Sequence, residues 1–429
     1  MKALLDIVAR HRSGHAVGIT SICSAHPVVL DAALCHGRDS GQWVLIEATS
    51  NQVNQFGGYT GMSPADFHAF VMDKADQAGL PRERVLLGGD HLGPNCWQGE
   101  SAASAMAKSE TLIDDYVAAG FRKIHLDCSM SCADDPPVLS DAEVAARAAR
   151  LAAVAERAWR RSGGEAPVYI VGTEVPVPGG AKEELDELQV TSSEAMGATV
   201  EAHRSAFSKE GLDEAWQRVI GLVVQPGVEF DHHDVVDYKP EKTRALSAAI
   251  DAFPGLVYEA HSTDYQTTEA LAALVRGHFA ILKVGPGVTF ALRETLWALS
   301  MIEDEVVASA QRSQLRRIVL EVMRAEPKYW EKYYTDENHL ALDLQYSLSD
   351  RVRYYWAHPR IRESCETLLR NLEGLSPSGT LPLALLSQYL PRQHDEIRAG
   401  RLTNSAGSIL RSGVTHVVRQ YAQACTQTG

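Results

Sequence analysis

The chain lacks a basic excess, a long apolar run, a cysteine framework and a nucleotide-binding glycine loop, and each absence removes a class of function. Lys and Arg number 41 against 55 Asp and Glu, a net charge of −14. That balance argues against a nucleic acid or an anionic membrane surface as partner, because both need a basic face. No stretch approaches the roughly 20 apolar residues of a membrane span. The opening M-K-A-L-L-D-I-V-A-R is too short and too broken by charge to read as a signal peptide. The 7 cysteines are odd in number and fall in no framework spacing, so reduced thiols in a cytoplasmic protein are expected. Cys128 and Cys132 have no second Cys or His pair at zinc-finger spacing and read as packing thiols. No Gly-x-x-x-x-Gly-Lys-Ser/Thr and no kinase-type Gly-rich loop occur, which excludes the common phosphoryl-transfer motifs.

What is present is an alternation. Short apolar runs near residues 15–21, 43–48, 85–89, 122–127, 168–174, 256–260 and 280–284 are separated by helical stretches. The helix opened by Ser63-Pro64-Ala65-Asp66 carries a serine cap, a first-turn proline and an acid three residues after the cap. The sixth strand is ambiguous between 198–208 and 222–225. Strands alternating with helices predict a parallel sheet with crossover helices. About eight units over 16–302 predict a closed α/β (β/α)₈ TIM barrel, with an open doubly wound sheet as the alternative. From about Arg312 the pattern becomes helical with aromatic clusters (Tyr329, Trp330, Tyr333, Tyr334; Tyr354, Tyr355, Trp356). The expected organisation is therefore a barrel over 1–311 and an α-helical extension over 312–429 packed on it.

Polar residues gather after the carboxyl ends of the strands: Glu47, Asn51, Asp90, His91, His125, Asp127, Glu174, His232, His233, His261 and Lys283. In a barrel these ends converge on one face, where such enzymes place their chemistry. Each residue alone has a plain structural reading: Asp90 as a helix cap, His125 as a hydrogen-bonded core group, the acids around His232 as a solvated loop. Imidazoles at four strand ends together describe a divalent-metal site, with Glu174 able to replace one ligand. A metal there polarises a carbonyl or an ene-diolate, and Asp90 beside it can move a proton. Lys283 allows a Schiff base as a second route. Asn51, Asp127, Ser129, Lys283 and, from the extension, Arg351 are the candidate substrate-binding residues, with Arg353 beside it as a second source of positive charge.

Seven stretches carry a resemblance that spans essentially the whole chain. They are L-I-E-A-T-S-N-Q-V-N-Q-F-G-G-Y (45–59), G-G-D-H-L-G-P (88–94), H-L-D-C-S-M-S-C-A-D-D (125–135), G-T-E-V-P-V-P-G-G (172–180), E-A-H-S-T-D-Y (259–265), K-V-G-P (283–286) and Q-Y-S-L-S-D-R (345–351). The chain resembles the GatZ/KbaZ family, the accessory (Z) subunits of D-tagatose-1,6-bisphosphate aldolase, some of which carry the name tagatose 6-phosphate kinase. The resemblance implies a supporting role in tagatose, galactitol and amino-sugar catabolism. The implied partner is a class II aldolase catalytic (Y) chain, with a sugar phosphate as substrate; a homo-oligomer is also allowed for. A more distant likeness to class II zinc aldolases implies Zn²⁺ held by His91, His232 and His261, with Asp90 as acid/base and Glu174 close to the metal. The choice between His232 and His233 stays open. That likeness also supports an alternative, a metal-dependent 4-epimerase of tagatose 6-phosphate acting by retro-aldol and aldol steps. After His261 the aldolases have a Gly-rich phosphate-binding turn; here the sequence is Ser262-Thr263-Asp264. The change argues against a bisphosphate and leaves sugar or sugar-monophosphate chemistry untouched.

Overall fold

The computed structural model describes residues 1–173, 188–375 and 378–426. Among the described residues ten strands follow one another: β1 Ile19–Cys23, β2 Val44–Thr49, β3 Val85–Leu92, β4 Lys123–Leu126, β5 Val168–Val171, β6 Val219–Val223, β7 Glu229–Phe230, β8 Val235–Val236, β9 Val257–Ala260 and β10 Ile281–Val284. Eight of them close a parallel barrel in the order β1-β10-β9-β6-β5-β4-β3-β2, and β7 and β8 form a separate antiparallel pair. The expected (β/α)₈ barrel is present. Its sixth strand lies at 219–223, while 198–208 belongs to the helix Ser193–Lys209.

Local sequence explains the alternation. Helices begin at serine or threonine caps: Ser63, with a full capping box to Asp66, then Ser101, Ser140, Ser192 and Thr267. Gly41 and Gly79 end two helices in the left-handed conformation, which glycine adopts without steric cost.

The barrel interior is layered. Ile19, Leu45, Leu86, Ile170, Val257 and Ile281 fill its floor, and Leu4 and Val8 of the helix Lys2–Arg12 plug the end beneath them. Fully burying each such aliphatic side chain contributes about 1.5–3 kcal/mol. Side chains two residues apart share a strand face. The next interior layer is charged (Glu47, Lys123, Glu259) and fully buried.

Past the last barrel helix, Pro286–Val306, the chain is helical to Cys425, apart from short turns among the described residues. The final helix, Ala406–Cys425, returns to pack against the helices Pro27–Ser40, Thr268–Arg276 and Pro286–Val306. The Gly18 N–H donates to its Cys425 carbonyl. A 3₁₀ turn, Arg351–Tyr354, is anchored over the barrel mouth. Asp350, at φ +46°, accepts from Arg293 Nε at 2.8 Å and from Thr289 Oγ1 at 2.6 Å, both on the helix after β10.

Candidate metal and sugar-phosphate site

At the carboxyl end of the barrel, β3 does something a regular strand cannot. Consecutive strand residues point to opposite faces, yet Asp90 and His91 both face the mouth. The pairing of β3 with β4 shifts register between Gly89 and Leu92, and His91 sits at φ +48°. A bulge with a left-handed residue re-aims a side chain, and such backbone is retained where the surrounding structure holds it. Gly88, one turn of the pleat below Asp90, leaves room for a neighbour: a Cβ there would lie 2.6 Å from Glu47 Oε1.

The imidazoles of His91, His125 and His261 form a triangle, with ring centroids 5.1, 5.2 and 4.9 Å apart. Each has one ring nitrogen on a carboxylate. His91 Nδ1 is 2.7 Å from Asp127 Oδ2, His125 Nδ1 is 2.9 Å from Asp90 Oδ1, and His261 Nε2 is 2.9 Å from Glu259 Oε1. A carboxylate on one nitrogen fixes the tautomer and leaves the other nitrogen as a lone pair, the arrangement typical of metal-binding histidines. His125 Nε2 is buried and has no hydrogen-bond partner, while its Nδ1, beside Asp90, also accepts from the His91 backbone N–H at 3.2 Å. Among the described residues, Asp90, His125, Glu259 and His261 present ligand atoms within 4.8 Å of one another, as do Cys23, Glu47 and Asp90.

Beneath the triangle runs a buried ion network. Lys123 Nζ lies 2.5 Å from Glu47 Oε1 and 2.6 Å from Glu259 Oε2. Lys283 Nζ lies 2.5 Å from Asp90 Oδ1, 2.6 Å from Glu47 Oε2 and 3.6 Å from Glu259 Oε1. The carboxylates Glu47, Asp90, Asp127 and Glu259 thus outnumber the ammonium groups Lys123 and Lys283 by two. Uncompensated buried charge is expensive, and a divalent cation would offset this carboxylate excess. Both the donor set and the charge therefore fit a divalent metal.

The electrostatics sort the groups. Burial opposes ionisation of Asp90, but His91, Lys283 and the bond from His125 outweigh it and hold the carboxyl well below its usual range. Glu259 is held low in the same way, by Lys123 and Lys283 against burial. Burial also opposes the charge on His91, which Asp90 and Asp127 overcome, raising its pKa. His261 is pushed down to about 3 by burial and by the cations around it, and is neutral. Burial disfavours the Lys283 ammonium, yet Asp90, Cys23, Glu47 and Glu259 raise its pKa well above normal. A Schiff base needs a free amine, so this geometry speaks for Lys283 as an ion-pairing cation.

The mouth opens into a small cleft at the carboxyl ends of the strands. Asn51, Asp90, His91, His261 and Lys283 of the expected residues line it, and Tyr59, Arg353 and Tyr354 complete its rim. The other expected residues lie elsewhere. Asp127 and Ser129 support His91 from behind, with Ser129 N and Oγ both donating to Asp127 Oδ1. Arg351 is buried against the Tyr333 ring and donates to Tyr354 OH at 3.0 Å; its neighbour Arg353 is the arginine in the cleft. His232 stands in the turn between β7 and β8, with Nε2 2.9 Å from the Tyr333 carbonyl and Nδ1 3.3 Å from Ser347 Oγ. Both its nitrogens serve the contact with the extension, and it is not in either cluster, so the expected His91–His232–His261 set is not the one brought together. His233 faces Asp343. After β6, Gln225 Oε1 accepts from the Gly227 and Val228 N–H groups. Glu174 lies outside the described residues.

Sequence reasoning passed over Lys123, Glu259, Cys23 and Asp264. A signal existed for the first two: a charged residue inside an apolar strand, two positions before a strand-end histidine, as in Lys123/His125 and Glu259/His261.

Residues 4–426 match the family model of the D-tagatose-1,6-bisphosphate aldolase subunit GatZ/KbaZ-like family. The D-tagatose-1,6-bisphosphate aldolase subunit GatZ of Salmonella newport (strain SL254) is 53% identical over 422 residues, covering 98% of this chain and 99% of that one. The protein of the same name from Klebsiella pneumoniae subsp. pneumoniae is 53% identical over the same length and coverage. A crystal structure from Sinorhizobium meliloti 1021, named a probable tagatose 6 phosphate kinase, superposes with a TM-score of 0.87 at 47% identity, covering 95% of this chain and 100% of that one.

Proposed function

The chain belongs to the GatZ/KbaZ-like family of D-tagatose-1,6-bisphosphate aldolase subunits, and from that premise we propose that it is the Z-type subunit of such an aldolase in carbohydrate catabolism. Its role is to support the activity and stability of a partner class II catalytic (Y) chain. The observation that carries this reading is the match along nearly the full length of both chains to relatives bearing that name. The kinase name of the Sinorhizobium protein is not adopted for this chain, whose sequence has no Gly-x-x-x-x-Gly-Lys-Ser/Thr loop to cradle a nucleotide's phosphates. The epimerase alternative is not favoured, because the named relatives are aldolase subunits.

The barrel mouth is part of the proposal. Asp90, His125, Glu259 and His261 hold a divalent cation, and this mixed imidazole–carboxylate set suits Zn²⁺. Bound there, such an ion polarises an oxygen of a carbonyl or ene-diolate. The chain's own residues bind and orient a sugar phosphate beside it: Asn51 and Lys283 line the cleft.

The test is reconstitution. A class II tagatose-bisphosphate aldolase catalytic chain is assayed alone and with this chain, for specific activity and for half-life at elevated temperature. Both are expected to rise and to saturate at a fixed stoichiometry. No change at excess of this chain overturns the subunit reading. Metal analysis of the purified chain tests the cation separately.

A further inference from the structure

The helix Pro286–Val306 starts at the cleft, directly after β10. A helix start offers free backbone N–H groups and a positive dipole end, which suits an anion such as phosphate. In this chain the place is taken from within. Asp264 Oδ1 accepts from the N–H of Gly285 at 2.9 Å and from that of Gly287 at 2.7 Å. Gly287 permits the approach, since a Cβ there would lie 3.1 Å from that oxygen. Asp264 is buried and also lines the cleft. Its carboxylate uses the donors a phosphate would need and repels a second anion from the same corner.

Elsewhere on the rim the opposite holds. Arg353 lines the cleft, and its guanidinium donates to the carbonyls of Ser349 and Asp350 and to Tyr354 OH. The nearby carboxylate of Asp350 is engaged by Arg293 and Thr289. Among the described residues no carboxylate stands within ion-pair distance of Arg353, which lines the cleft and acts electrostatically on Asp264. Guanidinium groups pair with phosphate through planar, charge-assisted hydrogen bonds.

We propose that the cleft takes a ketose carrying a single phosphate, seated on Arg353, and that Asp264 excludes a second phosphate by occupying the Gly285 and Gly287 N–H groups. This rests on the reading of the cleft as a sugar-phosphate site and goes beyond it, by setting the number of phosphates and naming the two residues that set it. Bisphosphate chemistry then belongs to the partner chain.

The experiment is calorimetric titration of the full chain with three probes: D-tagatose 6-phosphate, D-tagatose 1,6-bisphosphate and D-tagatose. The monophosphate should bind at least about tenfold tighter than either other ligand, the effect of one charge-assisted contact made or one anion repelled. Arg353→Met should weaken the monophosphate about tenfold or more and leave the unphosphorylated sugar unchanged. Asp264→Gly should narrow or reverse the preference over the bisphosphate. Should Asp264→Gly fail to fold, as judged by circular dichroism, Asp264→Asn keeps the acceptor, removes the charge and should weaken the preference. The proposal is overturned by a wild type that binds the bisphosphate as tightly as the monophosphate. Unchanged monophosphate binding in folded Arg353→Met overturns it too. A folded chain that binds none of the probes yet stimulates an aldolase partner overturns this proposal and leaves the subunit reading standing. Binding without stimulation does the reverse.

Discussion

Replacing Lys123 by methionine removes a charge from the centre of the barrel and keeps the volume nearly constant. The ammonium lies 2.5 Å from Glu47 and 2.6 Å from Glu259, and all three side chains are fully buried. Removing one partner of a buried pair costs about 3–5 kcal/mol, because the other charge is left uncompensated. Glu47 keeps Lys283 at 2.6 Å, whereas Glu259 has Lys283 only at 3.6 Å. The loss therefore falls mainly on Glu259, and about 3–4 kcal/mol is expected at pH 7. The measurement is urea unfolding of the metal-free chain followed by circular dichroism. The pH dependence follows from the sign of the shift. Glu259 has a depressed pKa when folded, so its contribution is present above the unfolded carboxyl range and is lost as the pH falls through the folded value. The gap between wild type and Lys123→Met should thus be widest near neutrality and close in acid. Adding Glu259→Gln to the variant removes the stranded charge and should recover about half of the loss, a coupling expected of groups in contact. A variant within about 1 kcal/mol of wild type at pH 7, or a strictly additive double variant, refutes the account of this layer as a charge network.

Three other predictions are independent of that one. Burial pushes the Glu229 carboxyl up to about 7, so the folded state favours its protonated form, and that advantage is lost as the pH rises from the unfolded carboxyl range through 7. Glu229→Gln should be more stable than wild type at pH 8 by up to about 3 kcal/mol and equal to it near pH 4, measured by thermal melts across pH. At Gly93 a Cβ would lie 1.8 Å from the Asp127 carbonyl oxygen, so Gly93→Ala must displace the end of β4. It should cost more than about 3 kcal/mol or abolish soluble expression, while Gly99→Ala, with nothing within 4 Å of its Cβ, should stay within about 0.5 kcal/mol of wild type. Divalent-metal affinity, read by competition with a chromophoric chelator, should fall about 10–100-fold in His125→Ala and stay within about twofold in His232→Ala. The reverse order would return the ligand set to the aldolase-like pattern.

How legible the chain was depended on whether the relevant physics was local. Strands and helices were readable because apolar runs, serine caps and C-terminal glycines act within a few residues. The sixth strand was harder, since the helix Ser193–Lys209 before it carries apolar residues of its own. Strand-end polarity pointed to the right rim, and Asp90, His91, His261, Asn51 and Lys283 all reach the cleft. His232 did not follow, because β7 and β8 leave the barrel to meet the extension, a contact made with residues about a hundred positions away. Arg351 and Arg353 were indistinguishable in sequence. The 3₁₀ turn at 351–354 buries the first against Tyr333 and gives the second to the cleft.

The sequence alone determined the barrel, its helical extension, the family and the rim on which the polar groups meet. Each of these follows from residue type repeated at short period or from long matching stretches. Only the tertiary structure decided which imidazoles share a site, since that depends on barrel closure and on the bulge that turns both Asp90 and His91 inward. It alone decided that Lys123 and Glu259 underlie the site and that Asp264 fills the helix start after β10. Charges and hydrogen bonds act over a few ångströms of space, and residues far apart in sequence come within that range only when the barrel closes.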